Sequence, residues 1–194
     1  MAIKLVIFDL DGTITQPYFD FDAIRREMGL ARDSGPILEI LNGLPAEEKA
    51  RLEKILEYHE QRAALDSELN PGTKKTLAEL RKTGILQGIL TRNSRKNTDC
   101  VTKIHKLRFD YTITREDGPV KPHPFGVHKL CRELRTPPEE TLLVGDYLFD
   151  IQSANAAGAT SVLLKTHKKS EEFAKYADFK IEKLEQILTI ITGR

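Results

Sequence analysis

An apolar segment that ends in two carboxylates constrains the fold of this chain more than any other feature. Residues 1–8 have the pattern of a strand buried on both faces, and the segment closes on Asp9 and Asp11, with Gly12 and Thr13 next. Charges at the edge of a hydrophobic core are costly unless a cation or a hydrogen-bond network compensates them. A turn with a helix cap would account for Asp11 but leaves Asp9 unexplained. The segment therefore favours a functional site at the end of a buried strand.

Composition and charge exclude several classes of partner. Lysine plus arginine (30) nearly balance aspartate plus glutamate (29) among the 194 residues, so no net field favours nucleic acid or a membrane surface. No apolar run approaches membrane-spanning length, and no basic segment followed by an apolar signal region precedes the first strand. Cys100 and Cys131 lack the paired spacing of a disulfide or zinc site. We expect a cytoplasmic monomer or homodimer that acts on a small molecule.

Residues 17–69 predict a small, all-helical unit. Short helical patterns follow Asp20 and Pro36, and a longer one runs from residue 46 to about residue 66. The sequence Asn-Pro-Gly at residues 70–72 is a turn signal that marks the end of this unit. The helical patterns therefore interrupt the chain shortly after its first strand.

From residue 72 onward, helical and strand patterns alternate. Strands are predicted at residues 85–90, 109–114, 141–144 and 160–164, and helices at residues 73–82, 95–106, 125–134 and 149–157. Such alternation indicates a doubly wound parallel sheet covered by helices, with its ligand site outside the carboxyl ends of the strands. We predict a discontinuous α/β core of residues 1–16 and 70–194, with residues 17–69 inserted as a helical cap.

Polar residues recur where the predicted strands end or where the next helix begins. The set comprises Asp9, Asp11, Thr91, Asn93, Lys121, Asp146 and Asp150. A cluster of carboxylates without histidine or cysteine suits Mg²⁺ rather than zinc. A lysine and a hydroxyl beside such a cluster suit a phosphate group, whose oxygens need both a metal and hydrogen-bond donors.

The order and spacing of these residues resemble the motifs of the haloacid dehalogenase (HAD) superfamily, in its phosphatase branch. Residues 9–13 (Asp-Leu-Asp-Gly-Thr) match the first motif, Thr91 the second and Lys121 the third. Residues 145–150 (Gly-Asp-Tyr-Leu-Phe-Asp) match the fourth. The resemblance covers nearly the whole chain and extends to a helical cap inserted after the first motif, as in phosphoglycolate phosphatases.

The resemblance implies a magnesium-dependent phosphatase that hydrolyses a small phosphate monoester through an aspartyl-phosphate. Asp9 would be the nucleophile, and Asp11 would act as general acid and then general base. The Mg²⁺ ion would be held by the carboxylates of Asp9 and Asp146 and by the main-chain carbonyl of Asp11. Asp150 would orient a metal-bound water or pair with Lys121, and a plain helix cap is the alternative for this residue.

The resemblance also suggests which residues bind the substrate. Thr91 and Lys121 would hold the phosphoryl oxygens, and Arg92 and Asn93 are further candidates for this role. In such enzymes the cap supplies specificity, so its side chains are expected to contact the part of the substrate beyond the phosphate. The candidates on or beside the cap are Phe19, Arg25, Arg62 and Arg92.

Three other functions compete with phosphate hydrolysis. A sugar-phosphate mutase of the same family would share all four motifs. A phospho-accepting receiver module also combines clustered aspartates with a threonine and a lysine, but Gly12-Thr13 directly after the acids, the helical insert and a lysine that precedes Asp146 disfavour it. A non-catalytic binding module is disfavoured because every catalytic position is occupied. Asp11 argues against the dehalogenase branch, whose reaction has no leaving alcohol to protonate.

Overall fold

The computed structural model describes residues 2–193 and shows a parallel six-stranded sheet among them. Its strands are β1 (Leu5–Phe8), β2 (Leu86–Leu90), β3 (Tyr111–Ile113), β4 (Thr141–Gly145), β5 (Thr160–Leu164) and β6 (Phe179–Ile181). Their spatial order is β3-β2-β1-β4-β5-β6, and every neighbouring pair is parallel. The order reverses direction between β1 and β4, which is where α/β sheets of this kind bind their ligands. The predicted parallel sheet is confirmed.

From α4 onward the helices alternate with the strands, as the sequence pattern predicts. They are α1 (Phe21–Met28), α2 (Ile37–Asn42), α3 (Ala46–Leu65), α4 (Thr73–Lys82), α5 (Arg95–His105), α6 (Phe125–Glu133), α7 (Leu148–Ala157), α8 (Ser170–Phe173) and α9 (Gln186–Thr192). Short 3-10 turns occupy Arg115–Asp117, Pro138–Glu140 and Ala174–Tyr176. Within the described part of the chain, no helix combines the length and the apolar character needed to cross a membrane.

The chain divides into two compact units. One comprises Met1–Pro17 and Ser67–Arg194 and contains the sheet, and the other is Tyr18–Asp66 and contains α1, α2 and α3. In the helical unit, the Asp20 carboxylate accepts from the Ala23 amide at the start of α1. Its core consists of Ile24, Met28, Ile37, Leu41, Leu52 and Leu56.

The sequence-based limits of the insert, residues 17 and 69, lie slightly outside the observed unit. The reason is that the segments flanking the insert pair with each other inside the sheet-bearing unit. The amide of Gln16 donates to the carbonyl of Glu68 at 2.8 Å, and Thr15 forms an antiparallel bridge with Leu69. Residues 1 and 194, which the predicted core limits include, lie outside the described residues.

The first and the last strand differ most from the prediction, and β2, β3 and β4 differ from it by one or two residues at an end. Strand β1 begins at Leu5 rather than at the start of the chain, and all four of its residues are fully buried. Residue 1 of the predicted strand is not among the described residues. Strand β6 was not predicted, because Phe179 and Lys180 are exposed and only Ile181 is buried. Charged residues flank its one buried side chain, since Lys180 precedes Ile181 and Glu182 follows it, so the segment has no apolar run.

Candidate active site

The carboxyl ends of β1, β2 and β4 place the predicted site residues together. In the register of the sheet, Phe8 at the end of β1 pairs with Ile89 of β2 and Val144 of β4. The chain therefore leaves three adjacent strands at the same edge, and the polar residues that follow each strand are brought to one place. Asp9 comes directly after β1 and Asp146 directly after β4, so the register places both carboxylates at this edge.

Lys121 lies between two carboxylates of this edge. Its Nζ is 2.6 Å from Asp9 Oδ1 and 2.6 Å from Asp150 Oδ1, and all three side chains are almost completely buried. Asp150 lies in the first turn of α7, and its other carboxylate oxygen accepts from the amide of Tyr147, the residue before that helix, at 3.1 Å. Asp150 thus both pairs with the lysine and caps its own helix, two roles that the sequence had left as alternatives.

Burial dominates the titration of these groups. It raises the pKa of Asp9 to about 7, although the Lys121 ammonium acts in the opposite direction. Burial, together with the charges of Asp9 and Asp150, holds the pKa of Asp146 well above its usual range. Burial alone would lower the pKa of Lys121, but the two neighbouring carboxylates outweigh it and the pKa is raised. The carboxylates of the cluster outnumber its ammonium group, so a further cation would favour their ionised forms.

A divalent cation fits these side chains. Asp9, Asp146 and Asp150 can each present one carboxylate oxygen, and these oxygens lie within 4.8 Å of one another. The three residues are buried, and the ligands are hard oxygens with no sulfur or imidazole among them, which is the donor set that Mg²⁺ prefers. The raised pKa values of Asp9 and Asp146 are a second indication, because buried like charges at close range call for a counter-ion.

Gly12 allows the main chain to approach this cluster. Its φ is +84°, and a Cβ built on it would lie 2.3 Å from Asp146 Oδ2. A side chain at this position would therefore meet the Asp146 carboxylate while also straining the backbone. The glycine of the first motif is required by contact as well as by conformation.

We expect Gly12→Ala to lower kcat/KM at least ~100-fold for the phosphate release that the motifs imply, because displacing an active-site group by about 1 Å costs a factor of this order. The left-handed conformation adds about 1–2 kcal/mol of destabilisation, measurable by urea unfolding. Gly158→Ala is the matched control, since Gly158 has φ +77° and no atom within 4 Å of the position that a methyl group would take. Equal activity loss in both variants would contradict the contact with Asp146.

The residues after β2 contact the other polar residues of this edge. The Asn93 amide group donates to Asp11 Oδ2 at 3.0 Å, and the Asn93 main-chain N–H donates to Thr91 Oγ1 at 3.0 Å. Burial raises the pKa of Asp11, against the opposing effect of the Asn93 hydrogen bond. The Arg92 guanidinium donates to the Lys121 carbonyl and lies over the Phe149 ring. The roles of Thr91, Arg92 and Asn93 in phosphate binding stay predictions.

The cap candidates have partners within the helical unit. Arg25 donates to the carbonyl of Gly35 at 2.8 Å, and Arg62 donates to Asp66 Oδ2 at 3.4 Å. The ring of Phe19 stacks on Phe21 with centroids 5.3 Å apart. These contacts give each side chain a place in the unit's own structure, and their contact with substrate stays a prediction.

Two residues of this edge were missed from the sequence. The sequence marks Asn70 only as part of a turn signal, yet its side chain donates to main-chain carbonyls of the first motif. Thr166, in the segment after β5, donates through its hydroxyl to the Gly12 carbonyl at 2.7 Å. An asparagine before Pro-Gly carries a strong turn signal that hides a side-chain role, and an isolated threonine carries no signal.

Comparison with known proteins identifies the family. The family model described as haloacid dehalogenase-like hydrolase matches residues 19–164. An uncharacterized hydrolase of Saccharomyces cerevisiae is 34% identical over 97% of this chain and 91% of its own length. A pyrophosphatase, PpaX, of Bacillus cereus is 31% identical over 99% of this chain and 98% of its own length.

A solved structure supports the same assignment at the level of the fold. A predicted phosphoglycolate phosphatase of Haemophilus somnus has a TM-score of 0.73 and 21% identity, and the match covers 97% of both chains. The resemblance drawn from the four motifs is therefore confirmed, as is the expectation of an enzyme. The chain belongs to the haloacid dehalogenase-like hydrolase family, and it has the parallel sheet that the sequence predicted.

Proposed function

We propose that this protein is a magnesium-dependent phosphatase that hydrolyses a small phosphate monoester through an aspartyl-phosphate on Asp9. The observation that carries the proposal is the contact between Lys121 and Asp9, whose Nζ and Oδ1 are 2.6 Å apart beside the buried carboxylates of Asp146 and Asp150. A nucleophilic carboxylate next to an ammonium group suits attack on a phosphoryl group, because the same cation can hold the phosphoryl oxygens.

In the first step, an oxygen of the Asp9 carboxylate attacks phosphorus while the bond from phosphorus to the leaving alcohol breaks. Asp11 transfers its proton to the oxygen of that alcohol. The raised pKa of Asp11 favours the protonated form that this step requires, and the Asn93 amide holds one of its oxygens at 3.0 Å. Lys121 and Thr91 would hold the phosphoryl oxygens in place.

In the second step, water attacks the phosphorus of the aspartyl-phosphate, and Asp11, now ionised, takes a proton from that water. The bond between phosphorus and the Asp9 oxygen breaks, which releases inorganic phosphate and restores both residues. A Mg²⁺ ion held by Asp9, Asp146 and the Asp11 carbonyl would supply positive charge opposite the phosphoryl oxygens. Asp150 would contribute through a water or by holding Lys121.

The proposal predicts that the protein releases phosphate from p-nitrophenyl phosphate in the presence of Mg²⁺. Excess chelator is expected to abolish the activity, and added Mg²⁺ is expected to restore it, because the cation offsets the buried carboxylates. Free phosphate and nitrophenol are measured together. Full activity in chelator would contradict the metal requirement, and nitrophenol release without free phosphate would indicate transfer to an acceptor.

The substrate is sought among small phosphorylated metabolites, with free phosphate as the readout. Phosphoglycolate belongs in this screen because of the resemblance to phosphoglycolate phosphatases, and inorganic pyrophosphate because of the Bacillus relative's name. The mutase alternative predicts a different product, since an isomeric phosphate ester would accumulate with little free phosphate. Chromatography of the reaction mixture distinguishes the two outcomes.

A further inference from the structure

The turn that follows β1 is held by one side chain from a distant part of the sequence. The Nδ2 of Asn70 lies 3.0 Å from the carbonyl of Gly12, 2.7 Å from that of Thr13 and 3.0 Å from that of Thr15. Asn70 is buried, and its own main-chain N–H donates to the carbonyl of Ile14 at 3.0 Å. Both the backbone and the side chain of Asn70 are thus fixed against this turn.

A second donor reaches the same turn from another strand. Thr166 follows β5, and its Oγ1 donates to the Gly12 carbonyl at 2.7 Å. The Gly12 carbonyl therefore accepts from both Asn70 and Thr166. Gly12 has no side chain of its own to hold it, and its φ of +84° lies in a region that glycine enters freely. The orientation of this peptide depends on donors supplied by other segments.

The Gly12 carbonyl belongs to the peptide that joins Gly12 to Thr13, so Asn70 and Thr166 fix the main chain one residue beyond Asp11. The carboxylate of Asp11 is held at its far end by the Asn93 amide, at 3.0 Å from Oδ2. The main chain of Asp11 lies between the Leu10 carbonyl, which accepts from the amides of Thr13 and Thr15, and the Gly12 carbonyl, which Asn70 and Thr166 hold. Proton transfer is sensitive to such placement, because donor and acceptor must come within hydrogen-bond distance.

We propose that Asn70 is a positioning residue for the acid and base Asp11. Its carboxamide fixes the Gly12 and Thr13 carbonyls and thereby aims the Asp11 carboxyl at the leaving oxygen of the substrate. Asn70 touches neither the substrate nor the reacting atoms. The inference rests on the proposed function, in which Asp11 protonates the leaving group.

Leaving groups of different basicity test this role. Phenolate is a basic leaving group that needs a proton as it departs, whereas 2,4-dinitrophenolate is stable without one. The loss of a well-placed general acid therefore slows phenyl phosphate far more than 2,4-dinitrophenyl phosphate. A change that merely loosens the protein slows both substrates by the same factor. The quantity measured is kcat/KM, which reports the steps up to release of the phenol.

Asn70→Ala is expected to lower kcat/KM for phenyl phosphate by about 100-fold, the lower end of what general acids contribute. The loss for 2,4-dinitrophenyl phosphate is expected to stay below about 10-fold. Asn70→Asp, which keeps the shape but replaces the donor by an acceptor, should behave like Asn70→Ala. Thr166→Val removes the second donor to the Gly12 carbonyl and should show the same selective loss for phenyl phosphate, but a smaller one. This variant also tests the proposal if the Asn70 variants fail to fold.

Thr73→Val is the matched control. Thr73 is buried and donates through its hydroxyl to the carbonyl of Ile14 at 3.1 Å, in the same turn but away from Gly12 and Thr13. Its substitution should change kcat/KM equally for both substrates, or not at all. Asp11→Asn provides the reference for complete loss of the general acid.

The outcomes distinguish a failure of the role assigned to Asn70 from a failure of the proposed function. Equal losses on both substrates in Asn70→Ala and Thr166→Val, with a selective loss in Asp11→Asn, would overturn the positioning role of Asn70 alone. Equal losses in Asp11→Asn would overturn the proposed role of Asp11. A selective loss in the Asn70 and Asp11 variants, with none in Thr73→Val, is the expected result.

Discussion

Replacing Asp9 by asparagine is expected to lower kcat for phosphate release by at least ~10⁴-fold, as the loss of a catalytic nucleophile commonly does. A carboxamide oxygen is a poor nucleophile, and the variant cannot form the aspartyl-phosphate. The substitution keeps the size of the side chain, so the cavity around it should not change. The measurement is free phosphate released at saturating Mg²⁺ and substrate.

The folded state should tolerate this change well. Burial raises the pKa of Asp9 to about 7, so the ionised carboxylate is poorly solvated there, and a neutral isostere removes that cost along with the pairing to Lys121. Unfolding by heat should therefore occur near the wild-type temperature. Asp99→Asn, at an exposed position of α5, is the control for the same chemical change elsewhere and should retain full activity.

Acid quenching adds a direct test of the nucleophile. Wild-type protein stopped during turnover should carry acid-stable phosphate on Asp9 in small amount, and Asp9→Asn should carry none. Substantial activity in Asp9→Asn would contradict the mechanism. A phosphorylated Asp9 that persists without substrate would instead support a phospho-accepting receiver.

Lys121→Met is expected to destabilise the protein by about 3–5 kcal/mol at pH 7.5 in chelator, the usual cost of removing one partner from a buried ion pair. The Asp9 and Asp150 oxygens, each 2.6 Å from Nζ, would be left without their shared cation. Phosphate release should be lost as well, because the same ammonium would hold the phosphoryl oxygens. Urea unfolding measures the stability.

The loss of stability in Lys121→Met should depend on pH in a definite direction. The Lys121 charge acts to lower the pKa of Asp9, so its removal raises that pKa further. A carboxyl with a raised pKa in the folded state binds a proton more tightly there than in the unfolded chain, so stability falls as pH rises above the unfolded value of about 4. The destabilisation should therefore be largest at pH 7.5 and shrink at pH 4.5.

An exposed lysine provides the control for this comparison. Lys4 pairs with Glu140 at 2.9 Å and is largely exposed, so Lys4→Met should change stability by less than about 1 kcal/mol at either pH. An equally large loss for Lys121→Met at pH 4.5 and pH 7.5 would show that packing of the lysine stem, rather than charge, is what the cluster requires.

The fold could be predicted because most elements carry a strong local pattern. Strand β5 is found where the sequence places it, and α1 ends at Gly29, whose φ of +72° suits a left-handed helix end. Strand β6 lacked such a pattern because two of its three residues are exposed. Local signals thus located five of the six strands described, including β3 at one edge of the sheet, and missed β6 at the other edge.

The site could be predicted only as a set of residues. Parallel strands bring their carboxyl ends to one edge, which is enough to expect Asp9 and Asp146 near each other. It is not enough to place the Asn93 amide on Asp11 or the Asn70 amide on Gly12, since these contacts join positions 82 and 58 residues apart. Such contacts depend on rotamers and on packing between segments, which no pattern of residue types records.

The pairing of the two flanking segments bears on how chains of this kind can diverge. Because Gln16 and Glu68 are joined by a main-chain hydrogen bond, the stretch between them begins and ends at one point of the sheet-bearing unit. Stretches of very different length can be joined there without moving a strand or a carboxylate of the candidate site. Recombination or duplication confined to one contiguous piece of the gene can therefore vary residues 18–66 while the chemistry encoded around them is inherited intact.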